Sequence, residues 1–500
     1  MLESVGDGGV KESAYDTAWV ALVQDVNGSD SPQFPSCLEW IANNQNPDGS
    51  WGDRRVFLSY DRLLNTLACV IALTRWNVHP DKCEKGMDFF NQNISKLMTK
   101  NPENMLAGFE VSFPALLEKA RRLNIEIQDQ YSSVLDDIYA QRDIKLKRIP
   151  RELLHQVPTT LLLSLEGIPN LDWEKLLKLQ SFDGSFFFAL ASSAFAFMQT
   201  KDEKVLSYLN GVVQKYGGGV PSVYPLDTFE HLWVVDRLEH LGISRYFHSE
   251  IKERLNYCYR YWTEKGIGAT RDSDVPDVDD TVMALRLLRL HGYDVSARNY
   301  LRTQRAANRL LDKWVMTKDL HGEVCYALDI PWYGSLPRIE ARFYIEQYGG
   351  ADVVRIAKTL YRMPYINNDL YLEFAKLDYN NCQAIHRKEW DNIQRWSQEL
   401  KLAEFGLSRE NLLLEYFLAA ASIFESNKST ERLAWIKTTI LIEAIRSNLD
   451  NEESRRAFAQ EFNNSIGAPS NANLLERSLN TCWQKFKYER QGTKTCRSFG

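Results

Sequence analysis

Five hundred residues is more chain than one small domain uses and suits two or three. Hydrophobic residues at 44% and charged residues at 25% are the balance of an ordinary globular protein, and a net charge of −6 gives no electrostatic footprint for nucleic acid. No apolar run is long enough to span a bilayer; the nearest, Phe186 to Met198, reads as a buried segment.

The N-terminal "MLESVGDGGVKES" has neither the apolar core of a secretory signal nor the Arg- and Ser-rich, acid-poor character of a plastid leader. Beyond it, helix-period stretches dominate. "FPALLEKARRL", "WEKLLKLQ", "VMALRLLRLHG" and "ERLAWIKTTILIEAIRS" repeat apolar residues every three or four positions, while alternating strand patterns are scarce. The expectation is an all-helical protein. One motif occurs twice, "QNPDGSWG" at Gln45 to Gly52 and "QSFDGSFF" at Gln180 to Phe187. Asp-Gly makes a tight turn and the serine is placed to cap a following helix, as a stacked or closed helical array requires; two unrelated turns would read the same way. Eight cysteines without a CxxC pair point to a reducing compartment. The polar, basic end, "KFKYERQGTKTCRSFG", is expected to fray.

"DSDVPDVDDTVMALRLLRLHGYDV" (Asp272 to Val295) crowds Asp277, Asp279 and Asp280 at the head of an apolar helical run. Capping explains this plainly: Pro276 suits a first turn, acids complement the N-terminal dipole, and Gly292 closes the helix. On that reading Met283, Leu287 and Leu290 form the buried stripe, with Arg286 and Arg289 in water. Repulsion offers a second reading, in which at least one carboxyl keeps its proton above the ordinary aspartate pKa of about 3.9 and serves as an acid. A Mg²⁺ site beside a phosphate is a third. The residues alone leave all three open.

The "DVDD" motif with "TVMALRLLRLHGYDV" resembles the DxDD motif of the plant class II diterpene cyclases, specifically the copalyl diphosphate synthases. The likeness continues through "SAYDTAWVALVQDVNGSDSPQFPSCLEWIANNQNPDGSWGD", "LEGIPNLDWEKLLKLQSFDGS", "TFEHLWVVDRLEHLGISRYF" and "GEVCYALDIPWYGSLPR", covering most of the chain from Ser13 to about Ser447. It implies an all-α architecture of α/α-barrel β and γ domains and a partial α domain. The implied division is 1–28 for the first part of β, 29–221 for an inserted γ domain, 222–365 for the rest of β, and 366–500 for a partial α domain and tail.

The resemblance implies protonation-initiated bicyclisation of geranylgeranyl diphosphate to a copalyl diphosphate stereoisomer. Asp279 would be the general acid, with Asp277 and Asp280 orienting its proton. Lys145 in "IKLKRIP" and Lys313 in "LLDKW" match diphosphate-contacting lysines. Glu110 in "GFEVSFP" matches an acidic residue that serves Mg²⁺, and family descriptions also place Mg²⁺ at Asp277 and Asp279. A carboxyl that carries the catalytic proton cannot also ligate a dication, which favours Glu110. His231 matches a histidine that gibberellin-pathway members link to Mg²⁺-dependent inhibition. The family works in plastids, in gibberellin or phytoalexin-type diterpenoid biosynthesis.

Three departures qualify these expectations. Leu163 and Ser222 stand where members making the ent stereoisomer carry a histidine and an asparagine that hold the deprotonating water. Several dozen residues are expected to be missing near position 300, including an asparagine partner of the middle aspartate. The α domain is expected to be truncated, with no DDxxD for class I ionisation and with apolar helix faces left uncovered. A catalytically inactive homologue acting as a binding protein is the alternative.

Overall fold

The computed structural model describes residues 8–98, 105–106, 108–127, 132–273, 275–295, 337–347, 369–447 and 456. Among them there are helices and five isolated bridges, with no extended strand. They fall into two compact units, Met1–Ser335 with Phe343–Ala375, and Leu336–Arg342 with Lys376–Gly500. No described helix is long and apolar enough to cross a membrane, and the five described cysteines form no disulfide.

The first unit is built around α3 (Ser59–Arg75), buried without a break from Asp61 to Leu73. A helix covered on every side must satisfy its polar residues internally. Thr66 Oγ1 accepts from Trp51 N at 3.0 Å, Asp61 Oδ2 from Asp53 N at 3.2 Å, and Asn65 Oδ1 from Tyr15 N at 2.8 Å. Arg62 Nη1 donates to Ser50 Oγ at 2.6 Å. Around α3 pack α1 (Ala14–Ala21), α4 (Pro80–Asn93) and α5 (Phe109–Arg122). α5 also packs on α6 (Ser132–Arg148) and on a 3₁₀ segment, Thr160–Gly167. The buried apolar run foreseen at Phe186 to Met198 divides into a turn and α9 (Leu190–Thr200), after the short α7 (Arg151–Leu154) and α8 (Trp173–Leu176). α9 lies on α1 and on α10 (Glu203–Tyr216).

The two Asp-Gly-Ser motifs adopt one geometry. Asn46 N bonds Ser50 O at 2.8 Å, and Ser181 N bonds Ser185 O at 2.9 Å. Gln45 and Gln180 each donate to the carbonyl of their turn glycine, at 2.9 and 2.8 Å. The main-chain N–H of Trp51 finds Thr66 Oγ1 on α3, and that of Phe186 finds Ser193 Oγ on α9 at 2.9 Å. They are therefore a repeat, as an array of helix pairs requires. The serines do not cap the next helices. Ser50 and Ser185 donate to Asp48 and Asp183 of their own turns, at 2.6 and 2.7 Å, and the following helices begin at Ser59 and Leu190. The glycines are obligatory on two counts. Gly49 and Gly184 have φ of +86° and +92°, and a Cβ would fall 2.5 Å from Lys85 O and 2.4 Å from Lys204 O.

In the same unit α11 (Asp227–His240) packs on α12 (His248–Tyr261) and α13 (Val278–Leu290). α13 starts two residues later than a proline-led first turn would give, because Asp277 is the cap and Pro276 lies outside the helix. Gly292 (φ +82°) ends it as foreseen. Two of its faces differ from expectation. Leu290 is 36% exposed, and Arg286 is drawn inward by Asp236, its Nη1 lying 2.7 Å from Oδ1. His240 completes that cluster, with Nδ1 2.9 Å from Asp236 Oδ2.

The second unit combines part of α15 (Asp369–Glu399) with α16 (Arg409–Ser422) and α17 (Ser429–Ser447); α14 (Pro337–Gln347) precedes them in the chain. Its apolar centre is Ile393, Leu412, Tyr416, Ile436 and Ile440. Arg432, with no exposed surface, meets Glu389 through two bonds, Nε to Oε2 at 2.8 Å and Nη2 to Oε1 at 2.6 Å. Its Nη1 donates to Glu425 O at 2.9 Å. α16 leaves Leu413, Leu414, Phe417 and Leu418 exposed.

The turn geometry predicts opposite outcomes for two glycine substitutions. Gly184→Ala should lower thermal stability by about 1–3 kcal/mol through the αL strain and backbone clash. Gly211→Ala, in α10 with nothing within 4 Å of its Cβ, should raise it by about 0.5–1 kcal/mol. Paired melting curves check the signs; a Gly184→Ala protein as stable as the parent contradicts the turn assignment.

Candidate active site

The acidic cluster is positioned by a short chain of constraints. Asp277 is extended (φ −90°, ψ 143°) and its carboxylate accepts from Asp279 N at 3.3 Å, so it caps α13. Its own N–H donates to Ile267 O at 2.9 Å. Thr281, one residue after the motif, bonds the same residue from the other side, Oγ1 lying 3.1 Å from both Ile267 N and Ile267 O. Gly266 (φ +117°) allows this approach, since a Cβ there would fall 2.3 Å from Thr281 Oγ1. The loop is then tied to α11. Thr228 Oγ1 donates to Gly268 O at 2.6 Å, and Arg271 reaches Asp227 through its backbone N–H at 3.1 Å and its guanidinium at 3.0 Å. Tyr257 of α12 donates its hydroxyl to the same carboxylate. Sequence reading passed over Asp227, Arg271, Tyr257 and Thr281; only their closeness to the matched segments "TFEHLW" and "DVDD" could have drawn attention to them.

The structure brings Asp277, Asp279 and Asp280 together, one oxygen of each within 4.8 Å of the others. Asp280 is 1% exposed and neither of its oxygens meets a hydrogen-bonding partner at normal distance. The indole N–H of Trp233 is its neighbouring side-chain donor but stays outside a normal bond. Burial, then the Asp277 charge, pushes the Asp280 carboxyl well above the usual range. Asp279 is pushed the same way by burial first, then by the charge of Asp277 and a hydrogen bond with it, then by Asp280. Asp279 keeps some accessible surface while lying deep in the fold; depth, more than residual surface, sets its cost of ionisation. The helix dipole opposes this and does not win. Asp277 is thus the cap, and the carboxyls it crowds, Asp279 and Asp280, are the ones pushed upward.

The remaining residues are placed as follows. Glu110, in the first turn of α5, faces Lys145 of α6, Oε1 to Nζ 3.5 Å. Among the described residues, the aspartate triplet is the one group of three or more close metal-ligand side chains, and Glu110 is outside it. Lys313, the segment around residue 300 and the C-terminal tail lie outside the described residues. His231 is buried against Tyr257 (ring centroids 4.3 Å apart), and burial followed by Arg254 lowers its pKa to about 4, so it is neutral near pH 7. Leu163 is half-buried in the 3₁₀ segment, and Ser222 is buried with its hydroxyl unpartnered.

The profile of the terpene synthase N-terminal domain matches residues 172–313. The chain is 56% identical to a (−)-kolavenyl diphosphate synthase of Tripterygium wilfordii over 513 aligned residues, 92% of this chain and 63% of that protein. It is 55% identical to a copal-8-ol diphosphate hydratase of Cistus creticus over 93% of this chain and 65% of that protein. The crystal structure of ent-copalyl diphosphate synthase from Arabidopsis thaliana, in complex with (S)-15-aza-14,15-dihydrogeranylgeranyl thiolodiphosphate, matches with a TM-score of 0.85 and 50% identity, covering 98% of this chain and 78% of that one. The chain belongs to the plant class II diterpene cyclases of the terpene synthase family. It spans about 63% of the length of the Tripterygium relative. The 513 aligned positions take up 92% of 500 residues, about 460, so about 53 positions have no counterpart here.

Acids whose folded pKa is raised bind more protons folded than unfolded, so stability falls as pH rises from the unfolded value toward the folded one. Asp280→Asn removes one such proton site. The variant should gain on the parent by up to about 1.4 kcal/mol per pH unit above pH 4, until the parent's acid ionises. Denaturant midpoints from pH 4 to 8 check this; a difference independent of pH would show that Asp280 is ionised in the fold.

Proposed function

We propose that this chain is a class II diterpene cyclase that converts geranylgeranyl diphosphate to a bicyclic diphosphate of the copalyl type by protonating its terminal double bond. The observation that carries the reading is the aspartate triplet, with the Asp279 and Asp280 carboxyls pushed well above the usual range at one helix start. An alkene is a very weak base, so its proton donor must be both strong and shielded from water. Asp279 fits as the acid. Asp277, fixed by its capping bond and by Ile267, orients it, and Asp280 raises its pKa through charge whenever it ionises. After proton transfer the Asp279 carboxylate stays beside two other acids, which makes reprotonation from solvent favourable.

Glu110 and Lys145 are the residues for the diphosphate end, with Lys313 as a second cation. One half-buried carboxylate next to an ammonium fits Mg²⁺ held mainly by diphosphate oxygens and water. When bound there, the ion neutralises the diphosphate and fixes its place. Asp277 and Asp279 are less suited, because a proton on Asp279 excludes a cation from it. Ring closure leaves the diphosphate attached, so no ionisation of it is needed.

Leu163 and Ser222 provide no histidine–asparagine pair, and the relatives' names include kolavenyl, ent-copalyl and copal-8-ol diphosphate products. The product is therefore proposed as a bicyclic diphosphate other than the ent-copalyl isomer. A plastid location and a role in diterpenoid biosynthesis of gibberellin or phytoalexin type follow the chloroplastic relatives. The alternative of an inactive binding protein draws on the roughly 53 unmatched positions.

Purified protein given geranylgeranyl diphosphate and Mg²⁺, then phosphatase, should yield a bicyclic alcohol by gas chromatography. Asp279→Ala should reduce that yield by at least about 10³-fold with the melting temperature retained. Geranylgeraniol alone from the parent protein supports the inactive reading, and unchanged product from Asp279→Ala removes that residue from the acid's role.

A further inference from the structure

α11 begins without a side-chain cap, since Leu226 stands at that position. Its leading N–H groups are met by other parts of the chain instead. Leu226 N donates to Gly8 O and Phe229 N to Ala269 O, both at 3.1 Å. Thr228 N turns to its neighbour, Asp227 Oδ1, at 3.0 Å. Gly8 belongs to the start of the described chain, and Ala269 to the loop that leads into the aspartate triplet. One helix turn therefore anchors both.

The N-terminal side of this anchor is closely built. Ser13 N donates to Val220 O at 2.8 Å and Glu12 bridges Pro221, so residues 8–13 run antiparallel to residues 220–226, with Gly8 at the α11 end. Gly8 has φ of +64°, and a Cβ there would fall 2.3 Å from both Leu226 N and Asp227 N. Its backbone lies directly on the helix start, where only glycine fits. Gly8 N then donates to Glu230 Oε2 at 3.1 Å, across 222 positions of sequence. Glu230 has no exposed surface. Burying a carboxyl is costly, and the N–H aimed at it and the helix start around it are what offset that cost.

From this turn the contacts continue to the acids. Asp227 holds Arg271 and Tyr257, Thr228 Oγ1 holds Gly268 O, and Ile267 of the same loop meets both Asp277 N and Thr281 Oγ1. We propose that Glu230 is a positioning residue, clamping Gly8 onto the first turn of α11 and so fixing the turn from which the acid-bearing loop hangs. It touches no reacting atom and acts through Asp227, Thr228 and Phe229. Its effect on turnover rests on the class II cyclase reading; its effect on the loop does not.

The test compares the parent with Glu230→Ala, Gly8→Ala and Glu230→Gln, the last keeping an oxygen for Gly8 N. Hydrogen exchange of residues 266–281 is followed by mass spectrometry, and kcat and KM are measured with geranylgeranyl diphosphate. Glu230→Ala and Gly8→Ala should each speed exchange in that loop by about tenfold. They should lower kcat by about ten- to a hundredfold while KM moves by less than about twofold. Glu230→Gln should recover most of both. Gly49→Ala, whose added Cβ meets Lys85 O in a different turn, is the control for lost stability and should leave exchange in the loop at the parent's rate. Faster exchange confined to residues 8–13 and α11, or an unchanged kcat in an active enzyme, would overturn the proposal. Equal losses in Glu230→Gln and Glu230→Ala would overturn the clamp as well. Geranylgeraniol alone from the parent would remove the cyclase reading, and the exchange rates would then decide the clamp by themselves. Should Glu230→Ala fail to fold, Gly8→Ala carries the same expectations.

Discussion

Three carboxylates cannot all be charged within 4.8 Å of one another in a buried place. Water reaches the start of α13 only in part, so burial and the Asp277 charge push the Asp279 and Asp280 carboxyls well above the usual range. The surrounding architecture keeps the cluster from relaxing by movement. Asp277 is pinned at both its N–H and its carboxylate, Thr281 clasps Ile267, and the loop between them is riveted to α11 through Asp227 and Arg271. The same contacts that cap the helix hold the three carboxyls together, so helix formation and the crowding of the acids are achieved by one set of bonds.

The rest of the first unit serves as a scaffold for that arrangement. Its two matching turns fasten helix ends through glycines that touch a neighbouring backbone directly, a contact no other residue allows. α3, wholly enclosed, takes its polar partners from the turns and from α1 rather than from water.

Much of this was legible in the sequence. Helical periodicity, the two Asp-Gly-Ser turns and Gly292 all show in the chain, since they depend on local sterics. The aspartate spacing also announced a special helix start. Two matters were not readable. Arg286 reads as a solvent-facing residue by periodicity, and only the tertiary position of Asp236 turns it inward. Which aspartates are pushed upward depends on depth and on the cap, neither of which a linear pattern specifies. The turn serines taught the same lesson: a residue suited to capping a helix spent its hydroxyl on its own turn's aspartate.

Arg432 in the second unit is a guanidinium cut off from solvent, gripping Glu389 from 43 positions away and the carbonyl of Glu425. Neither charge tolerates burial without the other. The ion pair therefore couples the long helix that carries Glu389 to the helix that carries Arg432, and loss of either partner would strand the other charge in the packed interior.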